Sequence, residues 1–201
     1  MLRFIPQVRQ AVMALALACA SAAALAGPTY HVTLNTAGLT GTGYLDFSVV
    51  GANGAPSAVA SVSNLSGAFG LEADRVGAVA GTIPASFTLA NAAGDNYLTQ
   101  AVNFGGLFGF DVSFGGDYET VAGIDGATFA IGLFDALFAE YTLAATFAAQ
   151  PGSLLGGATL TAEALLPSVD IDAVSEVPEP SQLALLLTAL VAAGAVLRRR
   201  S

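Results

Sequence analysis

Hydrolysis by a serine nucleophile needs an imidazole base, and this chain has one histidine, His31. No Gly-x-Ser-x-Gly turn accompanies it. His31 falls on the polar side of an expected first strand, which makes it a surface residue rather than a base. Zinc and redox sites need clustered histidine and cysteine, and the single cysteine, Cys19, stands alone near the start. Lysine is absent, so no Gly-x-x-x-x-Gly-Lys phosphate cradle can form. Carboxylates remain. A glycosidase needs two of them. Glu72/Asp74 and Asp117/Glu119 would each share a face if they lie on strands. Each pair reads more simply as a solvated edge, and there is no tryptophan to form a sugar platform. No catalytic residue is assigned, and the chain reads as non-enzymatic. Tyr44, Tyr97 and Tyr118, if exposed together, would offer stacking faces to a carbohydrate.

The charge is strongly segregated. All 15 acids lie between Asp46 and Glu179, where Arg75 is the one cation, so residues 27–179 carry a formal −14. Such a body repels phosphate backbones and excludes nucleic acid as a partner. Solubility accounts for the charge; attraction of divalent cations is the alternative. Calcium suits carboxylate and carbonyl oxygens. The stretch Gly105-Gly106-Leu107-Phe108-Gly109-Phe110-Asp111 has the ingredients of a Gly-Gly-x-Gly-x-Asp calcium repeat, but it is one residue too long and unrepeated. A glycine turn entering a strand explains it better. Asp170 and Asp172 lack the glycine and final glutamate of an EF-hand. No metal ligand or cofactor is assigned.

The elements that must position these groups have period two. Tyr30, Val32 and Leu34 alternate with polar residues, as do Leu45, Phe47 and Val49. Val59 to Leu65, Phe87 with Leu89, and Tyr97 to Phe104 are further strands. The clearest is Leu107 to Phe114, with Phe108, Phe110, Val112 and Phe114 on one side. Phe129, Ile131 and Leu133 repeat the pattern, and Leu160, Ala162 and Ala164 carry it faintly. Ala93-Gly94-Asp95-Asn96, Gly115-Gly116-Asp117, Asp125-Gly126 and Pro151-Gly152 supply turns. Asp46 and Asp111 are the polar members of otherwise apolar strands and are expected to face solvent or cap turns. Asp135 to Ala149 carries both signals: Leu137, Tyr141 and Ala144/Ala148 suit a helix, while Thr142, Thr146 and the aromatics suit a strand. Its alanines tip the expectation to a short helix. The body, residues 27–174, is thus expected to be mainly β: a single antiparallel sandwich or jelly-roll-like domain.

Both ends differ from this body. Residues 1–26 read as a signal peptide and its helix: Arg3 and Arg9, an apolar run from Ala11 to Ala18, and a small-x-small site before the Ala26–Gly27 junction. Ala16-Leu17-Ala18-Cys19 is a competing lipidation site, with Ala16 a poor first residue. Residues 175–201 end the chain. Their uncharged run 181–197 would make roughly 26 Å of helix against a bilayer core of about 30 Å. Arg198, Arg199 and Arg200 follow and would stay cytoplasmic as a stop-transfer cluster. A simple C-terminal membrane anchor is one reading of this tail.

Val177-Pro178-Glu179-Pro180-Ser181, the alanine/leucine run and the terminal arginines together resemble the PEP-CTERM sorting domain. That resemblance implies export by the Sec machinery, a transient inner-membrane anchor, and an exosortase that recognises Val177, Pro178, Glu179 and Pro180 and cuts near them. It also implies a Gram-negative host that makes exopolysaccharide, and a final place at the cell surface or beyond. His31-Val32-Thr33-Leu34, Gly43-Tyr44-Leu45-Asp46-Phe47, Phe110-Asp111-Val112 and Phe129-Ala130-Ile131-Gly132-Leu133 resemble an uncharacterised group of PEP-CTERM proteins, which brings no activity with it. The expected role is a structural or exopolysaccharide-associated surface protein. The alternatives are a carbohydrate-binding or adhesive module and a secreted glycosidase working through carboxylates. Mass spectrometry of the exported protein is expected to find Gly27 as the first residue; a diacylated Cys19 would overturn the assignment.

Overall fold

The computed structural model describes residues 28–153 and 157–174. The expected signal peptide and sorting tail lie outside that range. Among the described residues no helix is long and apolar enough to cross a membrane.

The chain forms β1 (Thr29–Asn35), β2 (Thr42–Gly51), β3 (Val59–Ser66), β4 (Phe69–Val76), β5 (Val79–Thr82), β6 (Ser86–Ala90), β7 (Tyr97–Asn103), β8 (Leu107–Gly115), β9 (Ala127–Asp135), β10 (Tyr141–Gln150), β11 (Thr159–Ala164) and β12 (Val169–Val174). They make two six-stranded sheets, ordered β12-β1-β8-β3-β6-β5 and β11-β10-β9-β2-β7-β4. The neighbouring strands pair antiparallel. The protein is mainly β, with two antiparallel sheets in a sandwich-like arrangement, as the period-two pattern requires.

The pattern explains the layers. On β8 the residues Phe108, Phe110, Val112 and Phe114 are buried. On β2, in the other sheet, Leu45, Phe47 and Val49 are buried. Phe47 bridges the sheets: its ring meets Phe110 of β8 at 5.4 Å and Phe87 of β6 at 5.0 Å, both edge to face. Such aromatic pairs add about 0.5–1.5 kcal/mol beyond their area burial. Phe147 of β10 closes the other end, 5.3 Å from Phe114 and 5.4 Å from Tyr30 of β1. The phenylalanine strand at Leu107–Phe114 is therefore central to its sheet and to the core.

The segment expected to be helical is not. Residues 141–150 form β10, a regular partner of β9 over most of its length. A register shift between Leu143 and Ala145 buries Ala144 and Ala145 together. That bulge breaks the alternation and leaves apolar spacing that imitates a helix turn. Thr142, Thr146 and Phe147, which fit a pleated surface, decide the outcome. β4, β5 and β12 complete the sheets and lie outside the strands expected from the sequence pattern. Two register shifts disrupt β4 against β7. β12 does alternate, with Val169 and Ile171 against Asp170 and Asp172, and those acids are simply the outward side of a strand.

The Phe47→Ala protein is expected to lose about 3–5 kcal/mol of stability. Urea unfolding measures it; a loss below ~1 kcal/mol would show that Phe47 does not tie the sheets together.

Candidate functional site

Because Leu45 and Phe47 point inward, Tyr44, Asp46 and Ser48 must point outward from the β2 sheet. β2 lies between β7 and β9, so its outer residues have neighbours on both sides. Tyr44, Asp46 and Ser48 stand opposite Ala101, Thr99 and Tyr97 of β7. They stand opposite Phe134, Gly132 and Ala130 of β9. Asp46 is not solvated as expected: it is only 9 % exposed. Its Oδ1 accepts a 2.7 Å hydrogen bond from the Thr99 hydroxyl. Its Oδ2 has no protein donor among the described residues, and it is not sealed off as an unsatisfied buried atom. Burial pushes the Asp46 carboxyl above the usual carboxylate range, against the opposing effect of the Thr99 bond.

Aromatic residues share the outer face with this carboxylate. Gly132 sits opposite Asp46, and a Cβ there would run into the Tyr141 ring. Glycine inside a strand often marks a place where another group approaches closely, and here that group is Tyr141 of β10. Burial, with Asp46's negative charge second, raises the Tyr141 phenol above its ordinary value. Tyr97 lies on the other side and donates from its hydroxyl to Asp74 Oδ2 at 2.9 Å. That bond first, and the charges of Asp74 and Asp46 further down, hold the Tyr97 proton on. Phe138 stacks on Tyr44 with ring centroids 4.1 Å apart. Phe134 touches Phe138 and Tyr141 at 5.3 and 4.7 Å. Phe138 has φ 55°, unusual for a bulky residue. Asp135 fixes its loop, accepting from the Ala139 and Glu140 amides at 2.7 and 3.1 Å. Phe138 and Tyr141 remain 49 % and 47 % exposed.

The three tyrosines named from sequence do not form one face. Tyr44 and Tyr97 belong to the aromatic site, but Tyr118 is 3 % exposed in the core, and burial pushes its phenol up to about 12. The residues that replace it, Phe138 and Tyr141, lay in the segment read as a helix. The aromatic density from Phe134 to Tyr141, next to Gly132 inside a strand, was the available signal.

The paired acids also separate. A bulge between Glu72 and Asp74 sets them opposite Gln100 and Thr99, which are adjacent on β7 and so point to opposite faces. Glu72 takes a bidentate grip from Arg75, at 2.8 Å to Nε and 2.6 Å to Nη2, which holds its carboxyl below the usual range. Arg75 also donates to the Gly81 carbonyl at 2.8 Å, tying β4 to β5 across the two sheets. Asp117 and Glu119 sit on a 3-10 turn rather than a strand.

On the outer face of the other sheet, His31 Nδ1 lies 2.6 Å from Asp111 Oδ1, and the Asn64 amide donates to Asp111 Oδ2 at 2.7 Å. Burial would raise the Asp111 carboxyl, but these two bonds and the His31 charge bring it below its ordinary value. Both oxygens of Asp111 are thus taken by protein groups. The glycine turn before it is held by Thr36, whose Oγ1 accepts from the Gly105 and Gly106 amides at 3.1 and 3.2 Å. Among the described residues no three His, Cys, Asp or Glu side chains gather to hold a metal. A cleft of about 560 Å³ opens between β11 and β12, lined by Tyr30, Leu160, Val169, Asp170 and Ile171 among others.

Ala26, Gly27, Val177, Pro178, Glu179, Pro180 and Arg198 to Arg200 lie outside the described residues. No family model, curated protein or solved structure matches the chain.

Asp46→Asn is expected to raise the melting temperature at pH 7, where each ~1 kcal/mol gained shows as about 2–4 °C in a domain of this size. A carboxyl whose pKa is raised by folding destabilises the fold when ionised, so stability is lost as pH rises through the folded value. The advantage of asparagine should therefore fade in acid. Scanning calorimetry from pH 3 to 8 checks both; a lower melting temperature for the variant at pH 7 would refute the desolvated carboxylate.

Proposed function

We propose that this is an exported, non-enzymatic surface or matrix protein, delivered by a signal peptide and processed at its C-terminus by an exosortase. The observation that carries the reading is the three-part tail in its order: Val177-Pro178-Glu179-Pro180, an uncharged run over 181–197, and Arg198-Arg199-Arg200. Residues 1–26 would form the signal helix and 181–197 a transient inner-membrane helix, with the arginines held on the cytoplasmic side. The body is what travels. A β-rich domain with no cysteine after Cys19 is compatible with an oxidising exterior.

The finer architecture we infer is a jelly roll. The order β1-β8-β3-β6 in one sheet and β2-β7-β4 in the other supports it, with β5 moved beside β6 and β9 to β12 added at the opposite edge. The non-enzymatic role is supported by a sequence with one histidine and no lysine. Association with exopolysaccharide comes from the PEP-CTERM resemblance. A carbohydrate-binding reading gains from the aromatic side chains gathered outside β2, of which Phe138 and Tyr141 are half exposed.

Cells with and without the processing enzyme separate sorting from simple anchoring. In the first, mass spectrometry should find a mature C-terminus near Pro178–Pro180; in the second, the tail should remain and the protein stay in the membrane. Replacing Pro178 and Glu179 by alanine should reproduce the second state. An unprocessed tail in both strains would leave a plain membrane anchor.

A further inference from the structure

We propose that the outer face of the β2 sheet holds one organic ammonium group, with Asp46 as its counter-ion and Tyr44, Tyr97 and Tyr141 around it. This goes beyond the export reading and does not rest on it.

Asp46 carries the inference. It is nine-tenths buried, yet one carboxylate oxygen has no donor among the described residues. A buried carboxylate is costly unless it is paired. No cation is at hand among the described residues. Arg75, the only Lys or Arg among the described residues, has its guanidinium committed to Glu72 and to the Gly81 carbonyl. What surrounds Asp46 instead is aromatic: Tyr141 packs over Gly132 directly opposite it, and Tyr97 stands on the β7 side. Faces of aromatic rings attract cations, most strongly where water is partly excluded.

The chemistry of the ligand follows by elimination. An anion finds no partner on this acidic face. A hard metal ion needs six or more oxygens, and one open carboxylate oxygen does not supply them. A neutral hydroxyl would satisfy Oδ2 but leave its charge unpaired. An ammonium on a carbon skeleton meets all three features: it donates to Oδ2, neutralises the charge, and suits the neighbouring aromatic side chains. Asp74 on the same face, with Asp135 and Glu140 at the end of β9 and in the loop after it, adds long-range attraction. The same ammonium chemistry occurs in alkylamines and in amino sugars.

The test titrates the full-length protein, held in non-ionic detergent, with butylamine, glucosamine, N-acetylglucosamine and glucose, following tyrosine fluorescence and calorimetric heat. Butylamine or glucosamine should bind, and the two uncharged sugars should bind at least about tenfold more weakly. Asp46→Asn should weaken amine binding by at least about tenfold. Tyr141→Ala should weaken it several-fold and keeps the test decisive if the first variant does not fold. Tighter binding of glucosamine assigns the ammonium to an amino sugar; tighter binding of butylamine assigns it to an alkylamine. Glucose binding as tightly as glucosamine, amine binding indifferent to both substitutions, or no amine binding at all would each overturn the proposal.

Discussion

Edge-to-face contact between Phe47 and Phe110 fixes how the two sheets meet. β2 and β8 lie inside their respective sheets, with neighbours on both sides, and each gives its inward side to this contact. A strand has only two faces, so slipping either by one residue would turn its whole apolar set to water. Phe47 also touches Phe87 and Phe129, so its position constrains β6 and β9 as well.

The same constraint creates the outer surface. With Leu45 and Phe47 turned in, Asp46 has no choice but to face out, between Thr99 and Gly132. An exposed aspartate there would be unremarkable on an edge strand. β2 is central, however, and Tyr141 reaches across Gly132 toward it. A carboxylate that alternation sends outward thus shares its face with aromatic side chains and keeps one oxygen open. The strain at Phe138 belongs to this face, since its φ of 55° lets the loop after β9 fold back onto Tyr44.

Much of the architecture was legible in the sequence. Strands with unbroken alternation, such as β2, β8 and β9, could be read directly, because burial on one face writes itself into every second residue. Two of the interrupted strands could not. The bulge at Leu143–Ala145 made β10 look helical, and the two shifts in β4 erased its period. The candidate site suffered from the same cause. Tyr44, Tyr97 and Asp46 could be placed on strands, but whether Asp46 is covered depends on a loop and on Tyr141, which belong to the misread segment. Tyr118 failed for a different reason: it sits in a 3-10 turn, where period two gives no guide to which way a side chain points.

Strand β1 opens the body and β12 closes it, and they lie side by side with Thr29 opposite Val174. The two ends of the body therefore leave from the same end of one hydrogen-bonded ladder. Tension applied between them would load the rungs of that ladder one after another, like opening a zip, rather than all together in shear. As a mechanical element the body would yield early, at its β12 margin, and would act as a soft joint instead of a stiff link.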